Sequence, residues 1–419
     1  AGEAAARDLG RLDGHHRAGS GRQAVDITGK GSRDQMGAMT SRERMLAAIH
    51  REEVDYVPLT ANFNPLRPIQ RVDRSWQFPW DQGASQEDRI AYCTGELGID
   101  ICAQAGLQEC CPEPEVTSRV WAEDDVIHKV YHTPSGDVEA SIRFDARWPH
   151  GLDIPLSSAF NVPHYVKPWI TSEADLACFR HILKPPEREE DVNRLRGRID
   201  EARALSAEYG VATYINCVHG MTTAHKMFGA EDLCLMTIEN PELVKAYLEL
   251  GHRINARNME IATEGGIDIV RRDGYYETCD FYSPAMLERF LAGYLNAEAD
   301  LVHANGSVIC YTIHTGIMPM LDYLQTLNLD SIIYIDIAFH GVDLGEIRHK
   351  LGQSKSFWTG PSNTYHLWSD DLEPVREAVR ETFQTLGKTG LVLCPCPSSH
   401  AIMPWENTLA MVDEWKELR

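Results

Sequence analysis

The sequence predicts a (β/α)8 TIM barrel with an inserted antiparallel β-hairpin, and three observations point there. Short apolar or β-branched runs alternate with long helical patterns at least six times along the 419 residues. The runs are continuously apolar, as strands buried on both faces are. Polar residues gather just after several different runs, which suits a barrel, whose site is assembled from many loops on one face. An open doubly wound sheet fits the same alternation, so the third observation is the one that favours the barrel. No Gly-x-Gly-x-x-Gly opens a helix, and Gly387-Lys388-Thr389 lacks the glycine five residues earlier that a phosphate loop requires.

Residues 1–38 carry Gly, Arg, Asp and Ser with a His15-His16 pair, and no apolar stretch of the signal-peptide kind. They read as a polar leader or tail, and 39–419 as a single barrel domain. Ser41-Arg42-Glu43-Arg44 opens an amphipathic helix with Ser41 as its N-cap. The run 57–60 is the first strand, and 211–217, 267–271, 307–313, 331–336, 356–359 and 391–394 follow. Between them, a helix over 241–263 opens at Asn240 and stops at Gly265-Gly266. A second, over 284–305, opens at Ser283 and closes at Gly306, and a third, over 371–386, closes at Gly387. The stretch 120–144 breaks this rhythm. It alternates polar and apolar residues around His132-Thr133-Pro134-Ser135-Gly136-Asp137, which predicts a hairpin inserted between early barrel elements. A segment with a helix, 169–183, leads back to the barrel.

Composition bounds the function. A hydrophobic fraction of 43% with 9 Trp and 15 Tyr is ample for a large core. Forty Lys+Arg against 62 Asp+Glu leave a net charge of −22, which argues against a nucleic-acid or anionic-membrane surface. No run of about 18 apolar residues is present to span a bilayer. Eleven scattered cysteines, an odd number, fit reduced thiols and a cytoplasmic setting.

The strand ends supply the candidate chemistry. Asn62, Asn64, Arg67 and Arg71 follow the first strand, and the third ends in Asn216 and His219. The fourth ends in Arg271-Arg272-Asp273-Gly274-Tyr275-Tyr276-Glu277. Cys310, Thr312 and His314 stand near the fifth, Asp336 near the sixth, Ser362 and Asn363 near the seventh, and Cys396 and His400 after the eighth. Asp273 and Glu277 share a loop and can serve as an acid/base pair, as metal ligands or as a hydrogen-bond anchor. Paired with Arg271 and Arg272, they would instead simply stiffen it. His219 can meet an anionic or phenolic oxygen, or bond within its own loop. Tyr275, Tyr276, Phe281 and Tyr282 form an aromatic group able to stack on a flat substrate. Arg67 and Arg71 can hold a carboxylate in bidentate fashion, while Asn216, Asp336 and Asn363 complete a polar substrate pocket. His314 and Cys396 are a normal zinc pair, though the spacing matches no C-x-x-C or H-E-x-x-H pattern. Otherwise they are a buried histidine and a small hydrophobe.

At these residues the chain resembles the uroporphyrinogen decarboxylase superfamily. The likeness is carried by 39–50 (Met-Thr-Ser-Arg-Glu-Arg-Met-Leu-Ala-Ala-Ile-His), by Asp55-Tyr56-Val57-Pro58 and by Glu239-Asn240-Pro241-Glu242-Leu243-Val244. It continues through Gly265-Gly266-Ile267-Asp268, Asp273, Tyr282-Ser283-Pro284, His303-Ala304-Asn305-Gly306 and Pro404-Trp405-Glu406-Asn407. The resemblance implies a (β/α)8 barrel and one of two activities. One is cofactor-free decarboxylation of uroporphyrinogen; the other is methyl transfer to or from a cobalamin-bearing partner, as in coenzyme M methyltransferases and anaerobic O-demethylation.

The inserted hairpin looks like the methyltransferase branch. The decarboxylases' Arg-Gln-Ala-Gly-Arg loop is not matched at 62–71. Thiol-activating methyltransferases are alike in a His-x-Cys after the fifth strand and a Cys near the end of the eighth. Here Thr312-Ile313-His314 puts His314 in the place of the cysteine, with Cys396 within one residue of the later one and His400 close by. The implied zinc set is thus altered to His314, Cys396 and His400, which counts against a thiol acceptor more than against a methyl-ether donor. The expected function is a methyltransferase component acting between a small methylated substrate, such as a methoxylated aromatic, and a corrinoid protein. Asp273, Glu277 and His219 are its catalytic candidates, and a homodimer is a compatible assembly. The alternatives are a carboxy-lyase using Arg67 or Arg71 and a non-catalytic tetrapyrrole-binding barrel.

Overall fold

The computed structural model describes residues 38–61, 85–145, 148–159, 161–396 and 405–419. Contacts divide the chain into Ala1–Ala38 and Met39–Arg419, and the second unit carries the fold described below. Arg67, Arg71 and His400 lie outside the described residues.

Two sheets organise the chain. Strand β1 (Ala103–Gln104) opens a seven-stranded parallel sheet, while β2 (Thr117–Glu123), β3 (Val126–Thr133), β4 (Gly136–Arg143) and β5 (Tyr165–Lys167) form a separate antiparallel sheet. The parallel sheet continues through β6 (Thr213–Cys217), β7 (Ile269–Arg272), β8 (Val308–Thr312), β9 (Ser331–Asp336), β10 (Ser356–Gly360) and β11 (Leu391–Leu393), in sequence order. The helices are α1 (Ser41–Ile49), α2 (Gln86–Tyr92), α3 (Glu173–Ile182), α4 (Glu189–Tyr209), α5 (Met221–Phe228), α6 (Ala230–Glu239) and α7 (Pro241–Glu264). After them come α8 (Pro284–Leu287), α9 (Gly293–Ala304), α10 (Leu321–Thr326), α11 (Leu344–Leu351), α12 (Glu373–Leu386) and α13 (Trp405–Leu418). The alternation read from the sequence is therefore present as an α/β fold with a parallel sheet.

Residues 57–60 carry hydrogen bonds toward both ends of that sheet. Leu59 bridges Leu393 in parallel, and the Leu393 N–H donates to the Pro58 carbonyl at 2.8 Å. On the other side the Asp100 N–H donates to the Leu59 carbonyl at 2.6 Å, just ahead of β1. The sheet is thereby curled so that its outermost strands approach one segment.

Strand alternation then sorts side chains into two layers. Tyr214, Ile269, Cys310, Ile333, Trp358 and Val392 turn inward with Met45, Ala48 and Ile49 of α1, which plugs the N-terminal end of the strands. Thr40 caps α1, not Ser41. Its hydroxyl accepts the Glu43 N–H while the Glu43 carboxylate accepts the Thr40 N–H, a capping box one residue earlier than expected. Arg42 reaches Asp268 at 2.6 Å, and Arg44 reaches Asp55 and Asp100, each at 2.6 Å, which pins α1 to the sheet.

Strand β9 departs from regular pairing. Opposite β10 the register shifts between Ile333 and Asp336, and Tyr334 sits at φ +69, the left-handed region that an aromatic residue seldom adopts. This bulge turns both Ile333 and Tyr334 inward and aims Asp336 at the C-terminal end of the sheet, the kind of re-aiming bulges bring about near functional sites.

The expected hairpin at 120–144 is part of a larger unit. It contains three strands with a turn at Asp124-Asp125 as well as one at Pro134-Ser135, and β5 adds a fourth. Asp124 adopts φ +51 without the Gly or Pro that would have marked the first turn in the sequence. The buried Val138, Ala140 and Ile142 of β4 alternate with exposed or half-buried neighbours until Ser141, giving the sheet one dry face, and α3 packs against it.

Candidate active site at the C-terminal ends of the parallel strands

One more step of alternation beyond the inner layer brings a set of polar side chains to the C-terminal ends of adjacent strands. Asn216 follows Tyr214, Asp273 follows Arg271, Thr312 follows Cys310 and Cys396 follows Cys394, each two residues on, and His314 lies two beyond Thr312. Among the described residues, Asn216 Oδ1, Asp273 Oδ1, Thr312 Oγ1, His314 Nε2 and both amide atoms of Asn363 are buried without a hydrogen-bond partner. Native proteins leave few such atoms, and those at these strand ends make this face the candidate ligand site.

The floor beneath them is cationic and aromatic. The Arg271 guanidinium lies 4.9 Å from the Tyr214 ring, 5.0 Å from Tyr334 and 5.9 Å from Trp358. Such rings stabilise a desolvated cation through their quadrupoles. Burial pushes the Asp273 carboxyl above the usual range, against the pull of Arg271 and Lys226. It pushes His314 down to about 3, so this imidazole is neutral. The Tyr275 ring meets the His314 ring edge-on at 4.6 Å and 81°. Asp336, also raised by burial, accepts the Ala338 N–H and the Ser362 hydroxyl, each at 3.1 Å.

Other expected residues lie elsewhere. Glu277 acts on Asp273 through its charge, which adds to the rise in the Asp273 pKa. It is fully buried and faces the outer layer, where Tyr311 Oη donates to Oε2 at 2.5 Å and Arg272 stands 3.5 Å from Oε1. Arg272 also meets Glu298 at 3.1 Å, and Glu298 in turn holds His252 at 3.0 Å. These contacts are of the kind a hydrogen-bond anchor makes, one of the readings open to Glu277. His219 is kept neutral by burial, with Nε2 donating to the Glu109 carbonyl at 2.8 Å and its backbone gripped by Asn255. Only Nδ1 is left as an acceptor, which removes His219 as a proton donor. The aromatic group divides: Tyr276 and Phe281 pack on His225 at 5.0 and 4.8 Å, and the Tyr282 hydroxyl meets His225 Nε2 at 2.7 Å, apart from the Tyr275–His314 pair.

No group of three or more His, Cys, Asp or Glu side chains is placed to hold a metal among the described residues. Cys396 Sγ donates to the Tyr334 carbonyl at 2.9 Å, and burial keeps it a thiol. His314 and Cys396 supply two donors of the expected set, and the third, His400, lies outside the described residues.

Lys226 went unnoticed in the sequence. It is buried, donates to the Ser157 carbonyl at 2.6 Å, and feels Asp273 and Glu109 electrostatically while burial lowers its pKa. Its signal was a lysine inside α5, whose eight residues are all buried.

A model of the family described as uroporphyrinogen decarboxylase (URO-D) matches residues 150–418, well over half of the chain. The chain belongs to the URO-D family. Among solved structures, this URO-D protein is similar to a methyltransferase from Methanosarcina mazei, with a TM-score of 0.54 and 15% identity over 91% of this chain and 99% of that one. At that identity the likeness is one of fold. A B12-independent methionine synthase from Shewanella matches at a TM-score of 0.34 and 14% identity, covering 52% of this chain and 64% of its own. A 3-keto-D-glucoside 4-epimerase from E. coli matches at 0.35 and 13%, covering 54% and 86%. No curated protein matches. No helix among the described residues is long and apolar enough to cross a membrane.

Proposed function

We propose that this chain is the methyltransferase component of a corrinoid-dependent system, moving a methyl group between a small methylated substrate and a corrinoid protein. We read residues 57–60 as the first strand of a closed (β/α)8 barrel, bringing the seven-stranded sheet to eight, on the hydrogen bonds they share with Leu393 and Asp100. The observation that carries the functional reading is the set of unpartnered buried atoms at Asn216, Asp273, Thr312, His314 and Asn363. A small ligand with an ether or hydroxyl oxygen satisfies donors and acceptors of this kind. The full-length fold likeness to the M. mazei methyltransferase supports the methyl-transfer branch.

A protonated Asp273 donates to a leaving phenolic oxygen as its bond to methyl breaks, the role of a general acid. Neutral His314 and the Asn363 amide orient that oxygen, and Tyr275 and His314 offer aromatic edges to a flat ring. The corrinoid of a partner protein would supply the nucleophile that accepts the methyl group. Methyl transfer to a reduced corrinoid protein from a panel of methoxylated aromatics and methylamines is the test; no transfer from any donor would sink the reading. A carboxy-lyase is the second reading, favoured by the family description and by the Arg271 guanidinium beneath Asp273. Carbon dioxide release from uroporphyrinogen, without methyl transfer, would establish it instead.

A further inference from the structure

The turn His132-Thr133-Pro134-Ser135-Gly136-Asp137 belongs to the antiparallel sheet and has no part in the reaction above. Its Ser135 is exposed, and Ser135 Oγ lies 2.8 Å from His181 Nε2. On the opposite side of the same ring, His181 Nδ1 lies 2.5 Å from Glu113 Oε2. The three residues come from separate places: the β3–β4 turn, the last turn of α3, and the segment ahead of β2.

Their positions are held independently of the three-way contact. The Glu113 N–H donates to the His181 carbonyl at 3.0 Å, and Lys184 Nζ stands 2.9 Å from Glu113 Oε1. The turn is braced by Thr133 Oγ1 donating to the Gly136 carbonyl at 2.8 Å and by His132 meeting Asp137 at 2.8 Å. Hydrogen bonds from His181 and Lys184 hold the Glu113 carboxyl below its ordinary range, so it is a carboxylate that accepts the Nδ1–H hydrogen bond. That tautomer leaves Nε2 free to accept the serine proton. A nucleophile, a base and a carboxylate that orients the base, all within hydrogen-bond reach, are the parts of an activated serine. The C-terminal end of α3 also favours the imidazolium that forms when the serine gives up its proton.

We propose that Ser135 is a second reactive site, a nucleophile acylated by activated carboxylic esters, with His181 as its general base and Glu113 as the orienting carboxylate. Ser135 Oγ bonds to the ester carbonyl carbon as its proton passes to His181 Nε2. The tetrahedral adduct then collapses, the bond to the leaving oxygen breaks, and that oxygen takes the proton back from Nε2. Water repeats the sequence on the acyl-serine, releasing the carboxylic acid and restoring Ser135. No oxidant or reductant enters. The Ser135 N–H is committed to Thr133 Oγ1 at 3.2 Å and does not serve as an oxyanion donor. One such donor is worth about 10²- to 10³-fold in rate. The substrate class is accordingly esters with good leaving groups, such as aryl esters, and not amides.

The test is incubation of the full chain with p-nitrophenyl acetate, following nitrophenolate release while peptide mass spectrometry locates the acetyl group. Acetyl on Ser135 is expected, with nitrophenolate released in step with it. His181→Gln is expected to slow Ser135 acetylation about 10²-fold or more, as loss of a general base does. Glu113→Gln is expected to slow it as well, because the carboxylate that orients the ring through Nδ1 is gone. Thermal denaturation of each variant separates loss of chemistry from loss of fold, and a solvent deuterium isotope effect on wild-type acetylation reads the proton transfer without any substitution. Acetylation of Ser135 equally fast in wild type and His181→Gln would overturn the proposal, and so would acetyl groups on lysines with none on Ser135.

Discussion

Arg271 and Arg272 are neighbours in sequence and lie on opposite sides of β7, one against Tyr214, Tyr334 and Trp358, the other against Glu277 and Glu298. The sequence placed both beside Asp273 and Glu277, which is where its resolution ended. A strand's period of two separates residues i and i+1, but the inner side was known only once the sheet was curled. The same rule assigns Asp273 to the ligand side and Glu277, carried around by its loop, to the outer layer. Burial raises the Asp273 pKa, so its contribution to stability is fully present below the unfolded value of about 3.9 and is lost as pH rises through the folded value. Asp273→Asn removes that penalty. It is expected to raise the melting temperature at pH 8, with the gain fading toward pH 4, while methyl transfer falls about 10²- to 10⁴-fold for want of an acid. Melting curves across that pH range, paired with rates at one pH, check both halves; an unchanged rate would remove Asp273 from the chemistry.

Among elements, those with strong local punctuation were legible and those without were not. Helix α7 runs Pro241–Glu264 with Asn240 as its N-cap and Gly265 after it, as read, because Asn, Pro and paired Gly state both ends in the local chain. The helix opened by Ser283 runs to Ala304 as expected, but its interior widens into a π turn over Glu288–Ala292 that no residue type announces. Strand β1 spans two residues and gave no apolar run long enough to notice. The ties between elements are long-range and therefore hidden. Arg272 joins the loop after β7, through Glu277, to α9, through Glu298, and both carboxylates are almost wholly buried. Truncating Arg272 to Met would strand two buried charges. Breaking a buried pair costs about 3–5 kcal/mol, and urea denaturation of Arg272→Met is expected to show a loss of that order. Adding Glu277→Gln and Glu298→Gln should recover part of it, since the charges left unpaired are then gone. No recovery would mean that the cost is one of packing.

For the whole molecule, the alternation of apolar runs and helices was enough to place a parallel α/β sheet, since that pattern is distributed along the entire chain. The ligand face was legible only as a list of strand ends, because which ends carry unpartnered atoms depends on how distant segments pair, as Leu59 does with Leu393. The net charge of −22 belongs to this scale as well. It sits largely on exposed carboxylates, whereas the floor of the site holds Arg271 and the flank Lys226, so global and local charge differ in sign of influence. Excess like charge destabilises a compact state through self-repulsion. Added salt shortens the screening length from about 30 Å at 0.01 M to about 3 Å at 1 M. The opposing loss, from exposed pairs such as Lys245–Glu242 and Lys350–Asp322, is small because solvent and side-chain entropy leave such pairs little net strength. Repulsion among the excess acids should therefore dominate the response. The melting temperature is expected to rise as sodium chloride increases from 0.01 to 0.5 M, most steeply at the low end. A fall over the same range would mean that ion pairing outweighs repulsion, and that the acid excess is dispersed widely enough to be harmless to the fold.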